Sequence, residues 1–158
     1  MELQGVLLGD VEVYIRIFIS ACIGFLIGID RTAKNKPAGV KTYMFVATAC
    51  ALITVVSIYS VDLYGRVDNV ALMDPMRLAA QIVTGLGFLG AGVILKEGLH
   101  VKGLTSASMI LFVGGVGIGI GAGFYGFVIF SVVIVMILSK IGNWLENSSW
   151  FFKKSNDL

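Results

Sequence analysis

Long apolar runs separated by short polar segments dominate the chain. A helix needs about 20 mostly apolar residues to cross the hydrocarbon core of a bilayer, and five runs meet this requirement. They lie at about residues 11–29, 42–61, 78–95, 104–122 and 124–145. The pattern predicts an all-α, polytopic membrane protein with five transmembrane helices, built as a single domain over residues 1–158.

Small residues recur inside these runs at a spacing of about one helical turn. In lipid, such faces let helix backbones approach one another closely. We therefore expect glycine-rich packing, with the fourth helix at the centre because it carries glycine on more than one face. The residues expected to make these contacts are Ser20, Gly24, Gly28, Gly87, Gly90, Gly115 and Gly119. An alternative interpretation is that the glycines make the fourth helix a pliable gate.

The third helix also contains a glycine pattern that is typical of dinucleotide-binding folds. Gly85, Gly87 and Gly90 form G-x-G-x-x-G, which binds a pyrophosphate only where a strand passes into the start of a helix. Here the glycines lie in the middle of an apolar run. Helix packing is therefore the preferred interpretation.

The composition agrees with a membrane protein and excludes several other classes. Hydrophobic residues make up 57% of the chain and charged residues 14%, against about 25% charged in soluble domains. The sequence has no Walker loop, no phosphorylated-aspartate motif, and no Ser-His-Asp or metal-ligand cluster. We therefore expect no enzyme activity, no catalytic residues and no nucleic-acid partner. Cys22 and Cys50 are expected to be inert packing residues.

Basic residues mark one side of the membrane. They cluster in the loops after the first and third helices and near the C-terminus, at Arg31, Lys34, Lys36, Lys41, Lys96, Lys102, Lys140, Lys153 and Lys154. The positive-inside rule then places the N-terminus outside and the C-terminus in the cytoplasm. Arg16 interrupts the first helix, and we expect it to snorkel outward or to pair with Glu12 one turn earlier.

A polar group is expected at the cytoplasmic boundary, where the first helix ends and the second and fourth begin. This first polar group comprises Asp30, Arg31, Lys41, Thr42, Thr105 and Ser106. Thr42 and Thr105 are expected to cap helices. Asp30 is the only acid of the first basic loop, so it is expected to bond Arg31, Lys41 or a helix N-terminus. The group is either a capped surface that contacts lipid headgroups or a site for an anion or a partner protein.

A second polar group is expected at the outer boundary and comprises Asp74, Arg77 and Gln81. Arg77 and Gln81 lie one turn apart, and Gln81 lies within the bilayer, where it needs a hydrogen-bond partner. The group forms either an interhelical hydrogen bond or the mouth of a permeation path. Mg²⁺ prefers carboxylate oxygens, and none lies in the interior of the predicted spans, so no metal ligands can be assigned.

Four motifs together are more specific than any of these patterns. They are G-x-x-x-G-x-D-R at 24–31, P-A-G-x-K-T at 37–42, R-x-A-A-Q running into G-x-G-F-L-G-A-G at 77–92, and V-x-G-L-T at 101–105. Through these motifs the chain resembles the MgtC/SapB family of bacterial inner-membrane proteins, in its short, membrane-only form. Asp30, Lys41 and Leu111 stand where that family usually has glutamate, arginine and tryptophan.

The resemblance implies a place in the bacterial inner membrane and a role in adaptation to low magnesium and in virulence. It further implies regulation of a membrane ATPase or transporter through helix contacts. The alternative is a transporter or channel for Mg²⁺ or another ion, with Mg²⁺ as a possible ligand; no other cofactor is expected. The small-residue faces exceed what one bundle needs, which predicts a homodimer within the lipid bilayer. The acid-free interior favours the regulator, whose first polar group suits anionic lipid, phosphate groups or an acidic partner.

The predicted orientation can be tested by labelling. A cysteine introduced as Asn156→Cys should be shielded from a membrane-impermeant thiol reagent in intact cells, because the C-terminus is expected inside. It should react once the membrane is permeabilised. Labelling of intact cells would refute the orientation.

Overall fold

The computed structural model describes residues 2–64, 74 and 76–147 of the chain. Lys153, Lys154 and Asn156, which enter the predicted orientation, lie outside the described residues. Five helices account for most of the described chain: α1 Glu2–Ala33, α2 Val40–Tyr64, α3 Met76–Val93, α4 Leu104–Gly121 and α5 Tyr125–Asn147. The prediction of an all-α fold is confirmed for this part of the chain.

Four of these helices are long and apolar enough to cross a membrane. The stretches that qualify are Val11–Ala33, Val40–Val61, Leu104–Gly121 and Tyr125–Leu145, while α3 contributes a shorter apolar stretch, Arg77–Val93. Large apolar side chains such as Phe18, Phe45 and Phe88 are exposed, which suits a surface solvated by lipid. The chain is thus an α-helical membrane protein, and the five-span topology with an outer N-terminus stays a prediction.

The third helix ends earlier than the sequence predicted. The apolar run continues to residue 95, but α3 stops at Val93, and Leu95–Glu97 forms a strand, β1, that pairs antiparallel with β2, His100–Lys102. Gly103 follows with φ +92°, and a Cβ at this position would collide with the Val93 carbonyl oxygen. The return of the chain onto the end of α3 thus needs glycine, and the hairpin lies between the two helix ends.

The helices α1–α4 and the hairpin form one compact unit, and α5 forms a second. Within the first unit, α4 packs against α1, α2 and α3, which makes it a central helix. Gly90 contacts Ala107 while Leu86 contacts Gly114, so α3 runs antiparallel to α4. The buried core between the helices includes Tyr43, Val46, Ala47, Ile110 and Val113.

The backbones of α1 and α2 approach one another closely at two glycines. A Cβ at Gly24 would lie 2.6 Å from the Tyr43 carbonyl oxygen, and a Cβ at Gly28 would lie 2.5 Å from the Val40 Cα. Both positions lie on the small-residue face predicted for the first helix. Because backbone atoms occupy the space, a side chain at either glycine would push the helices apart.

The contact between α2 and α4 uses a different set of glycines from the one predicted. A Cβ at Gly117 would collide with the Ala47 carbonyl oxygen, and a Cβ at Gly121 would lie 2.7 Å from the Ala51 carbonyl oxygen. A Cβ at Gly115, in contrast, would meet no atom within 4 Å. The face of α4 that contacts α2 therefore carries Gly117 and Gly121, and the predicted residue Gly115 lies on a different face.

The remaining predicted packing residues differ in their surroundings. Ser20 is buried and donates its hydroxyl to the Ala47 carbonyl oxygen at 2.8 Å. Gly90 has room for a Cβ in ordinary contact with Ala107 at 3.6 Å, and Gly87 faces open space within this chain. Gly119 is partly buried. Of the predicted packing residues, Ser20, Gly24 and Gly28 thus form one continuous contact face, which lies on α1 and meets α2.

These contacts predict a contrast between two glycine substitutions. Gly24→Ala should lower the free energy of unfolding by about 1–3 kcal/mol, because the new methyl group overlaps backbone atoms of α2. Gly115→Ala is the matched control and should be neutral or slightly stabilising, since alanine favours the helix and the space is open. Thermal unfolding in detergent micelles measures both, and equal stability of the two variants would contradict the packing described.

Candidate functional site

Three buried polar side chains meet where α1 ends and α2 and α4 begin. They are Arg31 of α1, Tyr43 of α2 and Ser106 of α4, and we call them the Arg31 cluster. Tyr43 is 0% exposed, Ser106 1% and Arg31 8%. Buried polar groups in an apolar bundle are costly unless they find partners, so this cluster is the strongest candidate site in the described chain.

The local sequence brings the three helix ends together. Asn35, at φ 50°, ends α1 in the left-handed conformation that asparagine tolerates. Its amide donates to the Thr32 carbonyl oxygen, and the Lys36 amide donates to that of Arg31, both at 3.1 Å. The Thr32 hydroxyl accepts from the Val40 amide at 2.9 Å and so fixes the start of α2 beside the end of α1.

The Tyr43 hydroxyl is the centre of the cluster. It donates to the Ser106 carbonyl oxygen at 3.4 Å and also interacts with the Ser106 side chain and the Arg31 guanidinium. The Arg31 Nε is buried and has no hydrogen-bond partner among the described residues. The cluster therefore holds a buried cation whose hydrogen-bonding capacity is not fully used.

The first turn of α4 adds further unused donors to this end of the bundle. The helix begins after Gly103, and none of the side chains that the structure describes caps it. The first backbone N–H groups of a helix have no partner within the helix and carry a partial positive charge. Ser106 belongs to this turn, so the Arg31 cluster and the start of α4 form one site.

The structure places other members of the first polar group outside the cluster. Asp30 is exposed and accepts from Lys34 at 2.9 Å, rather than from Arg31 or Lys41. Consecutive residues of a helix point about 100° apart, so Arg31 faces the interior while Asp30 faces outward. The expectation that Asp30 binds Arg31, Lys41 or a helix N-terminus is therefore corrected. Lys41 is exposed as well.

The two threonines expected as caps do not serve as caps. Thr42 and Thr105 are exposed, and each lies one or two residues inside its helix. The first amide of α2 is bonded by Thr32, which the sequence reasoning missed because it lies at the end of the preceding helix. The start of α4 has glycine at the cap position because the hairpin requires a positive φ there.

A second arginine stabilises the opposite end of α4. Arg16 donates to the Gly121 carbonyl oxygen at 2.8 Å and forms a salt bridge with Glu12 at 2.6 Å. The expected pairing with Glu12 is thus observed. A cation at a helix C-terminus is favourable because the last carbonyl groups carry a partial negative charge. The sequence offered no signal for the contact with Gly121, which lies far away along the chain.

The second polar group forms no buried site in the described part of the chain. The Arg77 amide donates to the Asp74 carbonyl oxygen at 3.1 Å, and both residues are exposed. Gln81 is exposed too and lines a cavity between α2 and α3 whose other walls are largely apolar. Among the residues that the structure describes, no three His, Cys, Asp or Glu side chains come close enough to bind a metal ion.

The fold and this site define a helical membrane protein with the buried Arg31 cluster at one end of its bundle. The model of the MgtC family matches residues 17–148, and the chain belongs to this family. The family resemblance predicted from the motifs is thereby confirmed. No solved structure matches the chain.

Three relatives show the extent of the similarity. SapB of Bacillus subtilis is 39% identical over 86% of this chain and 59% of its own length. The Escherichia coli protein named "Putative magnesium transporter YhiD" is 36% identical over 82% of this chain and 60% of its own. MgtC of Salmonella typhimurium is 35% identical over 72% of this chain and 45% of its own. The chain thus spans about half to three fifths of the length of these relatives.

The geometry predicts that Tyr43 matters more to stability than Asp30. Tyr43→Phe removes the hydroxyl between Arg31 and Ser106 and should cost about 1–3 kcal/mol, because buried partners lose a hydrogen bond. Asp30→Ala breaks an exposed pair and should change stability by only about 0.5 kcal/mol. Thermal unfolding of both variants in the same detergent is the measurement. A larger loss of stability in Asp30→Ala than in Tyr43→Phe would contradict this geometry and indicate that Asp30 holds the site together.

Proposed function

We propose that this chain acts in the bacterial inner membrane in adaptation to low magnesium, by contacting and regulating a membrane ATPase or transporter. Family membership and the magnesium-related name of a relative support the physiological setting. The packed interior of the bundle is the observation that favours regulation over transport.

The interior between α1, α2 and α4 is filled by apolar side chains and close backbone contacts. Tyr43, Ile110, Val113 and Ile120 are fully buried there, and Gly117 brings α4 against the backbone of α2. Among the residues whose side chains the structure describes, no acidic side chain is buried. A Mg²⁺ ion needs an octahedral shell of oxygen ligands, and this interior offers it little room and few ligands.

Regulation requires a surface that another membrane helix can approach. Gly85, Gly87 and Gly92 of α3 and Gly115 of α4 have no atom within 4 Å of an added Cβ. Such open small-residue positions let a partner helix come close to the backbone. They suit an ATPase or transporter helix, and they also suit a second copy of this chain in the proposed homodimer.

Transport of Mg²⁺ is the second candidate function, and one feature favours it. Gln81 lines a cavity of about 540 Å³ between α2 and α3 and could offer an amide oxygen to a partly hydrated ion. The other lining residues are largely apolar, among them Phe45, Ile82 and Leu86. One amide in an apolar cavity is a weak ligand set for a hard divalent cation, so this function ranks second.

An ion-flux measurement on the purified chain separates the two functions. Liposomes that contain the chain and an internal Mg²⁺ indicator should show no saturable Mg²⁺ uptake. A strain that lacks the gene should nevertheless recover growth at low magnesium when the chain is expressed. Gln81→Leu should preserve this recovery, because a regulator does not need Gln81 as a ligand.

Thr84→Val serves as the matched control, since Thr84 is exposed on α3 and its hydroxyl donates to the Ala80 carbonyl oxygen one turn earlier in the same helix. Saturable uptake that is lost in Gln81→Leu and kept in Thr84→Val would decide for transport.

A further inference from the structure

A charged side chain is buried at the end of α1 without an ionic partner in the described part of the chain. Arg31 is more than nine-tenths buried, and no described carboxylate lies within salt-bridge distance of it. Its Nε has no hydrogen-bond partner among the described residues. Removing a guanidinium from water is unfavourable unless a negative group compensates for the lost hydration. The burial of Arg31 therefore points to an anion.

The second source of positive potential at this place is the start of α4. This helix has 18 residues, no side-chain cap and no acidic residue in its first turn. The uncapped amides attract anions and repel a nearby cation. Arg31 reaches this turn through Tyr43, whose hydroxyl interacts with both Arg31 and Ser106. A buried cation beside a helix N-terminus is favourable when an anion is shared between them.

The donors at this site match an oxygen-rich anion. A guanidinium presents a planar fork that can bind two oxygens at once, and backbone amides at a helix start bind a third. The Tyr43 and Ser106 hydroxyls can each donate or accept. A phosphoryl group, with several charged oxygens in a tetrahedral arrangement, uses such a set more fully than a planar carboxylate.

The surroundings favour the same ligand. The segment from Asp30 to Lys41 carries four basic side chains and one acidic one, and the acid is paired with Lys34. Lys34, Lys36 and Lys41 are exposed, so they attract anions to this end of the bundle without filling the site. This end is predicted to lie at the cytoplasmic boundary, where the phosphodiester groups of anionic lipids are concentrated.

We propose that the Arg31 cluster and the first turn of α4 bind a phosphoryl group, supplied by an anionic phospholipid headgroup or by free phosphate. This inference goes beyond the proposed function, because it depends on the geometry of the cluster and on no particular partner protein. Binding would neutralise Arg31 and stabilise the junction of α1, α2 and α4.

Binding can be measured as stabilisation of the full chain in maltoside micelles, which contain no phosphate. A ligand that binds only the folded chain raises its unfolding temperature in a saturable manner. The probes are inorganic phosphate, acetate, phosphatidylglycerol and phosphatidylcholine, each compared with chloride at equal ionic strength. We expect a saturable rise with phosphatidylglycerol, with inorganic phosphate, or with both. A rise with the lipid alone assigns the site to a headgroup, and a rise with inorganic phosphate shows that free phosphate suffices.

Charge-matched variants separate the site from general electrostatic attraction. Arg31→Gln and Lys36→Gln each remove one positive charge, but Lys36 is exposed on the neighbouring loop. Apparent affinity should fall at least tenfold in Arg31→Gln and less than twofold in Lys36→Gln. If Arg31→Gln does not fold, Arg31→Lys and Ser106→Ala replace it. Arg31→Lys keeps the charge but loses the fork, and each of the two should weaken binding at least threefold.

Three outcomes would overturn the proposal. The first is the absence of any saturable shift with inorganic phosphate and with phosphatidylglycerol. The second is an equal loss of affinity in Arg31→Gln and Lys36→Gln, which would indicate diffuse attraction by the loop. The third is an equal shift with acetate and phosphate, which would assign the cluster to the carboxylate of a partner protein instead. None of these outcomes depends on whether the chain supports growth at low magnesium.

Discussion

The arrangement of α1, α2 and α4 depends on the close approach of their backbones at Ala47. Its carbonyl oxygen accepts the Ser20 hydroxyl of α1 and lies against the Gly117 backbone of α4, while its Cβ contacts the position of Gly24. A larger residue on any of the three helices would separate them at this level. Because the crossing fixes the helices along their axes, it also brings the end of α1 level with the starts of α2 and α4.

The site follows from this crossing rather than from its own residues. Arg31, Tyr43 and Ser106 come from three helices, and no local motif joins them. Arg31 stays buried because Gly28 lets α2 begin directly against α1. The buried polar cluster is therefore a consequence of small-residue packing about one to three turns away. Packing and binding chemistry in this bundle cannot be separated, and a substitution at the crossing affects both.

The sequence predicted the helices well because lipid permits few alternatives for an apolar run of this length. The prediction failed at the end of α3. Ile94 and Leu95 are apolar and were assigned to the helix, but the chain forms a hairpin there and returns to the end of α3 at Gly103, which has a positive φ. Helical periodicity also identified small-residue faces on α4 without showing which one α2 would use. The face used depends on where α2 packs, and α2 packs against Gly117 rather than Gly115.

The candidate site was predicted in part. Arg31 and Ser106 were expected together at one boundary, since helix ends on one side of a membrane lie close together, and the structure brings them together through Tyr43. The partner of Arg31 was missed, because a sequence shows that Asp30 is adjacent but does not show the direction in which each side chain points. Tyr43 was missed because an aromatic residue in an apolar run gives the same signal as any lipid-facing ring.

The two arginines of α1 have a further consequence for the surrounding bilayer. Arg16 is held by the carbonyl end of α4 and Arg31 by the cluster at the other end, so neither can move freely along the helix axis. Fifteen helical steps separate them, a rise of about 22 Å, whereas a typical hydrocarbon core is about 30 Å thick. The lipid next to α1 must therefore thin locally, or the side chains that flank the two arginines must extend towards the interfaces, because tilting would shorten the span further. Hydrophobic mismatch of this kind favours neighbouring proteins with equally short apolar spans. The local thickness of the membrane therefore influences which proteins associate with this one.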